Sequence, residues 1–137
     1  MFPLFVYGSL KEGYPNFHFN KGVRLPGEYV TVEPYPFYLA HGQLPCLLPL
    51  RGEGLRVKGQ LFKVDEDSLA LMDRLEKVGE PGGYSRRVIE VVVAEALTLP
   101  ATSAFVYMQS PAFLTASGSH EGPIAEYTLE HAQSLRW

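Results

Sequence analysis

The stretch "PLFVYG" at residues 3–8 constrains the fold more than any other part of the chain. Its apolar and aromatic residues stand on consecutive positions, without the alternation of a strand that keeps one face in water. That pattern predicts a strand buried on both faces, in the middle of a sheet. Two later stretches do alternate. In "GLRVKGQLFKV", Leu55, Val57 and Leu61 oppose Arg56, Lys58 and Gln60, and in "SRRVIEVVV", Ile89, Val91 and Val93 oppose Val88, Glu90 and Val92. Both are predicted to be half-buried strands. "EYVTVE", "PFYLA" and "SAFVYMQ" carry the β-branched and aromatic residues that suit a pleated surface, and Pro26-Gly27, His41-Gly42 and Gly52-Glu53-Gly54 supply turns between them.

One internal segment has helical character. "DEDSLALMDRLEKVGEPGG" opens on Asp65 as an N-cap candidate and closes at Gly79 with Pro81 beyond, and the tail "IAEYTLEHAQSL" predicts a second helix. Strands outnumber helices, so the expected class is α+β, with the sheet curling into a small mixed β-barrel around one or two helices. The 137 residues suit a single domain over 1–137, without repeats or linkers.

Composition excludes several classes. With 46% hydrophobic and 20% charged residues the chain is not a disordered tail, and no apolar run approaches the roughly 20 residues of a membrane span. The net charge of −3 lacks the basic excess of a phosphate-neutralising surface, so no nucleic acid and no membrane partner is expected. The start, Met1-Phe2-Pro3-Leu4, lacks the basic region and cleavage site of a signal peptide, and the single Cys46 cannot form an internal disulfide. Both favour a reducing compartment, the cytoplasm.

A helical wheel with Met72 at zero places Leu69, Leu75, Leu71 and Val78 in an arc from about +60° to about −120°, the expected buried face. Glu66, Asp67, Asp73, Arg74 and Lys77 fall on the opposite side, where solvent explains them. Glu76 falls near about +40°, between Leu69 and Met72, with its carboxylate at or beside the apolar interior. Two readings stand. Glu76 either reaches outward or pairs with Arg86 or Arg87, or it is a carboxylate of raised pKa at a pocket mouth, able to act as general base and acid. The break at Gly8 offers a partner for such a base, because amides leaving the ladder there can converge on an anion, although from this stretch alone a plain tight turn after the strand is the favoured reading of the glycine.

Other candidates are weaker. Ser9 lies outside any G-x-S-x-G elbow, and "GSLKEG" lacks the G-K-[ST] ending of a phosphate loop. Cys46 is surrounded by apolar residues in "LPCLLPL", the setting of an inert thiol even with His41 nearby in sequence. The histidines, His18, His41, His120 and His131, show no ligand spacing, so no metal and no cofactor is expected. Tyr107 reads as an inward tyrosine finishing a core, and Tyr84 as an aromatic packed on the helix.

Taken in order, "VYGSLKEGYPNF", "LPCLLP", "MDRLE" and "YSRRVIEV" resemble the γ-glutamylcyclotransferase-like family, in particular its γ-glutamylamine cyclotransferase branch. The resemblance spans most of residues 4 to 107; no motif aligns after Ser110. It implies a small α+β barrel in which the backbone of Tyr7, Gly8, Ser9 and Leu10 holds the glutamyl part of a small-molecule γ-glutamyl substrate. It also implies that Glu76 is the catalytic acid and base, and that Tyr107 faces the pocket. The implied reaction is an intramolecular aminolysis that releases 5-oxoproline and a free amine without metal or cofactor. Alternatives are a cyclotransferase acting on γ-glutamyl amino acids or glutathione, and a non-catalytic member that binds a small carboxylate. The oligomeric state stays open, with a monomer favoured.

Overall fold

Strand β1 (Phe2–Val6) lies between two neighbours in the structure, a computed structural model that describes residues 1–135. It runs antiparallel to β6 (Lys58–Val64) and parallel to β8 (Thr102–Met108). β8 pairs with β7 (Ser85–Val93), β7 with β3 (Tyr29–Thr31), and β3 with β6, so the hydrogen bonding returns to β1 and closes a five-strand barrel. β2 (Val23–Arg24) adds to the far part of β6. A second sheet sets β4 (Phe37–Ala40) between β5 (Leu44–Leu47) and β9 (His120–Glu121). The helices are few and short: α1 (Glu66–Leu75), α2 (Pro111–Ala116) and α3 (Leu129–Gln133). The α+β barrel expected from the strand count is thus the observed architecture.

The consecutive apolar residues of β1 are explained by two cores. Phe5 and Tyr7 join Leu61, Val91, Val106 and Tyr127 in one cluster, whereas Leu4 and Val6 join Leu69 and Met72 of α1 in another. Period-2 alternation still operates, but each face meets apolar partners. Each fully buried aliphatic side chain of this kind contributes about 1.5–3 kcal/mol.

β6 departs from the half-buried expectation. Gly59, Gln60, Leu61 and Phe62 are all buried, because the strand is bordered by β1, β2 and β3 and covered on both faces, while Leu55 is exposed. Gln60 survives burial because its side-chain oxygen accepts the Glu12 N–H at 2.7 Å. β7 follows its predicted pattern except for Val92, which is also buried.

α1 starts as expected, with the Asp65 carboxylate accepting the Ser68 N–H at 2.7 Å. It stops at Leu75 rather than Gly79, because Lys77 already adopts a left-handed backbone with φ 56°. Val78 therefore leaves the wheel and is exposed, and Leu71 is exposed too, so the buried stripe is narrower than the arc suggested. In the tail only Leu129–Gln133 is helical, capped by Thr128, and α2, capped by the Ser110 side chain, was not expected. Among the described residues no helix is long and apolar enough to cross a membrane.

Candidate active site

The end of β1, the start of β5, the end of α1, the start of β7 and the end of β8 meet around one partly open cleft. Its walls include Tyr7, Gly8, Ser9 and Leu10 on one side and Glu76, Tyr84 and Tyr107 on the other, with Pro45 of β5 against the loop. All six residues named from the sequence are therefore brought together, although Glu76 and Tyr7 lie far apart in the chain.

Gly8 is required for room rather than for a left-handed backbone. A Cβ built there would lie 2.9 Å from Cγ of Pro45, closer than packed carbons tolerate. The chain then turns, the Lys11 N–H donating to the Gly8 carbonyl at 3.1 Å. Asn16 braces the turn twice, its backbone N–H donating to the Ser9 carbonyl at 3.0 Å and its side-chain amide to Ser9 Oγ at 2.9 Å. The Asn20 side chain donates to the Leu10 carbonyl at 3.2 Å. The carbonyls and the hydroxyl of the loop are thus occupied, whereas the N–H groups of Ser9 and Leu10 have no acceptor among the described residues. Fixed, unpartnered amides beside a cleft are donors for an anion.

Lys11 and Glu12 serve the loop rather than the cleft. Lys11 is buried, its Nζ donates to the Tyr127 carbonyl at 2.6 Å and sits over the Tyr14 ring, and burial lowers its pKa. Glu12 pairs with Arg24 at 2.8 Å.

Glu76 is the residue that caps α1. Its own N–H donates to the Met72 carbonyl at 2.9 Å, and its carbonyl accepts the Tyr84 N–H at 2.9 Å, so the backbone is pinned on both sides. Its carboxylate makes no hydrogen bond or ion pair among the described residues, because Arg86 pairs with Asp73 at 2.7 Å and Arg87 donates to Ser85 Oγ at 3.1 Å. The pairing with Arg86 or Arg87 that the sequence left open is therefore not formed. Burial without a compensating cation pushes the Glu76 pKa up to about 7. The carbonyl end of the helix acts in the same direction.

Three tyrosines frame this carboxyl group. Tyr7 donates its hydroxyl to the Tyr107 carbonyl at 2.6 Å, and Tyr84 donates to the Pro45 carbonyl at 2.7 Å. Burial raises the pKa of both well above the usual tyrosine value, with the Glu76 charge adding in the same direction, so both stay neutral donors. Tyr107 donates to Asp73 Oδ1 at 2.7 Å, and burial together with that bond raises its pKa. Asp73 was assigned to solvent on the wheel; it is instead the acceptor that orients Tyr107 and holds Arg86. Sequence reasoning also missed Tyr84 as part of the cleft. Its signal was the short spacing from Glu76 through a glycine-rich turn, which brings the start of β7 back onto the end of α1.

Cys46 is fully buried, and burial pushes its thiol up to about 11, which leaves it protonated and inert at neutral pH. Among the described residues no group of three or more His, Cys, Asp or Glu side chains is placed to hold a metal.

Residues 4–128 match the sequence profile of the family described as "Gamma-glutamyl cyclotransferase, AIG2-like". The match continues past Ser110, beyond the last of the four motifs. Curated relatives include gamma-glutamylaminecyclotransferase from Homo sapiens, 38% identical over 100 residues, covering 67% of this chain and 63% of that protein. Gamma-glutamylaminecyclotransferase C from Danio rerio is 37% identical over 99 residues, covering 66% of this chain and 62% of that one. The chain therefore spans somewhat over three fifths of the length of these relatives. Among solved structures, an AIG2-like protein from Mus musculus superposes with a TM-score of 0.78 at 32% identity, covering 100% of this chain and 95% of that one. Barrel topology, the loop after β1, the carboxylate at the end of α1 and the profile across almost the whole chain converge, and the chain belongs to the gamma-glutamyl cyclotransferase, AIG2-like family.

Proposed function

We propose that this chain is a γ-glutamylamine cyclotransferase, releasing 5-oxoproline and a free amine from γ-glutamyl amines. The observation that carries the reading is the placement of an unpaired carboxyl group, Glu76, across one cleft from the free amides of Ser9 and Leu10. The substrate's α-carboxylate sits on those amides, which folds the glutamyl chain so that its α-nitrogen approaches its own γ-carbonyl. Tyr7 and Gly8 shape the floor of this cradle. Tyr107, held by Asp73, walls the opposite side.

The α-amine arrives as an ammonium and must lose a proton to attack. Glu76 takes that first proton and so frees the lone pair for attack; it passes the proton to the departing nitrogen, and it then takes the second proton from the ring nitrogen and delivers it to the amine once the amide C–N bond has broken. The ammonium gives up two protons on becoming the lactam nitrogen, and the leaving amine gains two on departing as an ammonium. With a pKa of about 7, Glu76 is partly ionised at neutral pH and is matched to both transfers. Similarity to the gamma-glutamylaminecyclotransferases supports the choice of an amine leaving group. The reading also comprises one domain over residues 1–137 and a cytoplasmic location suited to the reduced Cys46, with the oligomeric state left open and a monomer favoured.

The test is a panel of γ-glutamyl amines, γ-glutamyl amino acids and glutathione incubated with the pure protein and scored for 5-oxoproline. Release from the amines at the highest kcat/KM is expected, and absence of 5-oxoproline from every substrate overturns the reading. Cys46→Ala is expected to keep full turnover while losing about 1–2 kcal/mol of stability from the core truncation, measured by denaturant melts. A well-folded but silent Cys46→Ala protein would restore the thiol as nucleophile.

A further inference from the structure

Lys11 is a buried cation that no carboxylate answers. The residue is 4% exposed, and among the described residues no Asp or Glu lies within ion-pair distance of its ammonium. Nζ instead donates to the Tyr127 carbonyl at 2.6 Å and lies 4.3 Å from the centre of the Tyr14 ring. The charged groups around it are committed elsewhere. Glu126, beside Tyr127 in the tail, faces Lys58 of β6 at 3.9 Å, and Glu28, just before β3, faces Arg24 of β2, which also pairs with Glu12. Glu126 and Glu28 favour the ammonium from a distance and Arg24 opposes it, but burial outweighs all three and lowers the Lys11 pKa. A buried charge without an ion partner costs stability, and a counter-charge from outside the chain would offset that cost.

The turn that carries Lys11 is where such a charge would bind. Its N–H donates to the Gly8 carbonyl at 3.1 Å, which closes a turn whose two inner residues are Ser9 and Leu10, the residues with unpartnered amides beside the cleft. Neither Lys11 nor its partners Tyr14 and Tyr127 line the cleft, so the ammonium stands behind the turn while the amides stand in front of it. Even a fully stretched lysine side chain keeps Nζ within about 11 Å of the neighbouring Leu10 nitrogen. We infer that the Lys11 ammonium is the through-space counter-charge of the anion held on the Ser9 and Leu10 amides, so that the cradle takes a carboxylate in preference to a neutral group of the same shape. The inference rests on the proposed cyclotransferase activity, in which that anion is the α-carboxylate of the substrate, and it adds a residue that touches no substrate. Over about 10 Å, at an effective dielectric constant of about 40, the attraction corresponds to about a fourfold preference.

The test titrates wild type and Lys11→Met calorimetrically at pH 7 with two ligands, 5-oxoproline and its neutral carboxamide, 5-oxoprolinamide. Methionine keeps the unbranched stem and removes the charge, and the Tyr127 carbonyl still accepts the Tyr14 hydroxyl at 3.1 Å, so no acceptor is orphaned. The Kd of 5-oxoproline is expected to rise about three- to tenfold in the variant, and that of 5-oxoprolinamide to stay unchanged. Added salt should weaken 5-oxoproline binding less in the variant than in wild type. The unfolding midpoint of Lys11→Met is expected to equal or exceed that of wild type at pH 7. The folded ammonium holds its proton less tightly than the unfolded one, so this gain should fade as pH rises through the ordinary lysine value of 10.5. Lys11→Gln, which can still donate a hydrogen bond to the Tyr127 carbonyl but carries no charge, should show the same selective loss. Equal weakening of both ligands, or of neither, would overturn the inference, as would wild-type discrimination in Lys11→Gln, which would assign the effect to the hydrogen bond. If wild type still releases 5-oxoproline from a γ-glutamyl amine, the cyclotransferase reading survives that result; if it neither releases nor binds 5-oxoproline, both fall.

Discussion

Glu76→Gln is expected to fold, to bind a γ-glutamyl amine, and to turn it over about 10²- to 10⁴-fold more slowly than wild type, the usual contribution of a positioned general base. Glutamine preserves shape but cannot accept a proton. The loss should fall on kcat, because in the proposed cradle the α-carboxylate rests on the Ser9 and Leu10 amides rather than on Glu76. In the wild type, kcat/KM should rise with pH through about 7 as Glu76 ionises, and that inflection should vanish from the residual activity of the variant. The same carboxyl group predicts a stability effect of defined sign. Its folded pKa of about 7 lies above the ordinary value of 4.5, so the folded state holds the proton more tightly than the unfolded one. Its contribution is favourable at low pH and is lost as pH rises from the ordinary value through about 7. Glu76→Gln, which carries no charge at any pH, should therefore gain on wild type by about 1–3 kcal/mol between pH 4 and pH 8, measured by denaturant unfolding at both. Retention of most activity, or a stability difference independent of pH, would remove Glu76 from the role assigned to it.

Gly8→Val is expected to weaken both the fold and the site. The new Cβ would stand 2.9 Å from Cγ of Pro45, and the additional methyl groups would push β5 away from the loop or displace the Ser9 and Leu10 amides. Overpacking of this kind costs about 1–3 kcal/mol. Displaced amides should also raise the KM for substrate and the Kd for 5-oxoproline by tenfold or more, about 1.4 kcal/mol, when measured well below the melting temperature. Ser9→Ala supplies the contrast. Its hydroxyl accepts from the buried Asn16 amide at 2.9 Å, so the variant should lose about 1–3 kcal/mol of stability by leaving that donor unpaired. Its backbone N–H remains, and binding should change little. If Ser9→Ala abolishes binding in a folded protein while Gly8→Val leaves binding untouched, the backbone cradle is wrong.

What the sequence alone determined was whatever depends on local pattern. Consecutive apolar residues in "PLFVYG" specify a strand covered on both faces, and alternation in "SRRVIEVVV" specifies the strand that became β7. Asp65 marked the start of α1 because an N-cap is a contact between near neighbours. The wheel placed Glu76 beside the apolar stripe because a helix carries its period to its last turn. What the tertiary structure decided was every feature that depends on closure of the barrel. β6 looked half-exposed until three strands bordered it, and β5 was hidden behind its proline although β4 supplies its partner. Asp73 and Tyr107 lie 34 positions apart, and only the packing of α1 against β8 turned a wheel-surface aspartate into the acceptor of a tyrosine hydroxyl. Whether Glu76 would be paired or left alone was likewise settled at long range. The Arg86 cation of β7 pairs with Asp73 at 2.7 Å rather than with Glu76. Local sequence encodes which residues can be buried; the path of the distant chain decides which of them meet, and so which carboxylate is neutralised and which keeps its proton for chemistry.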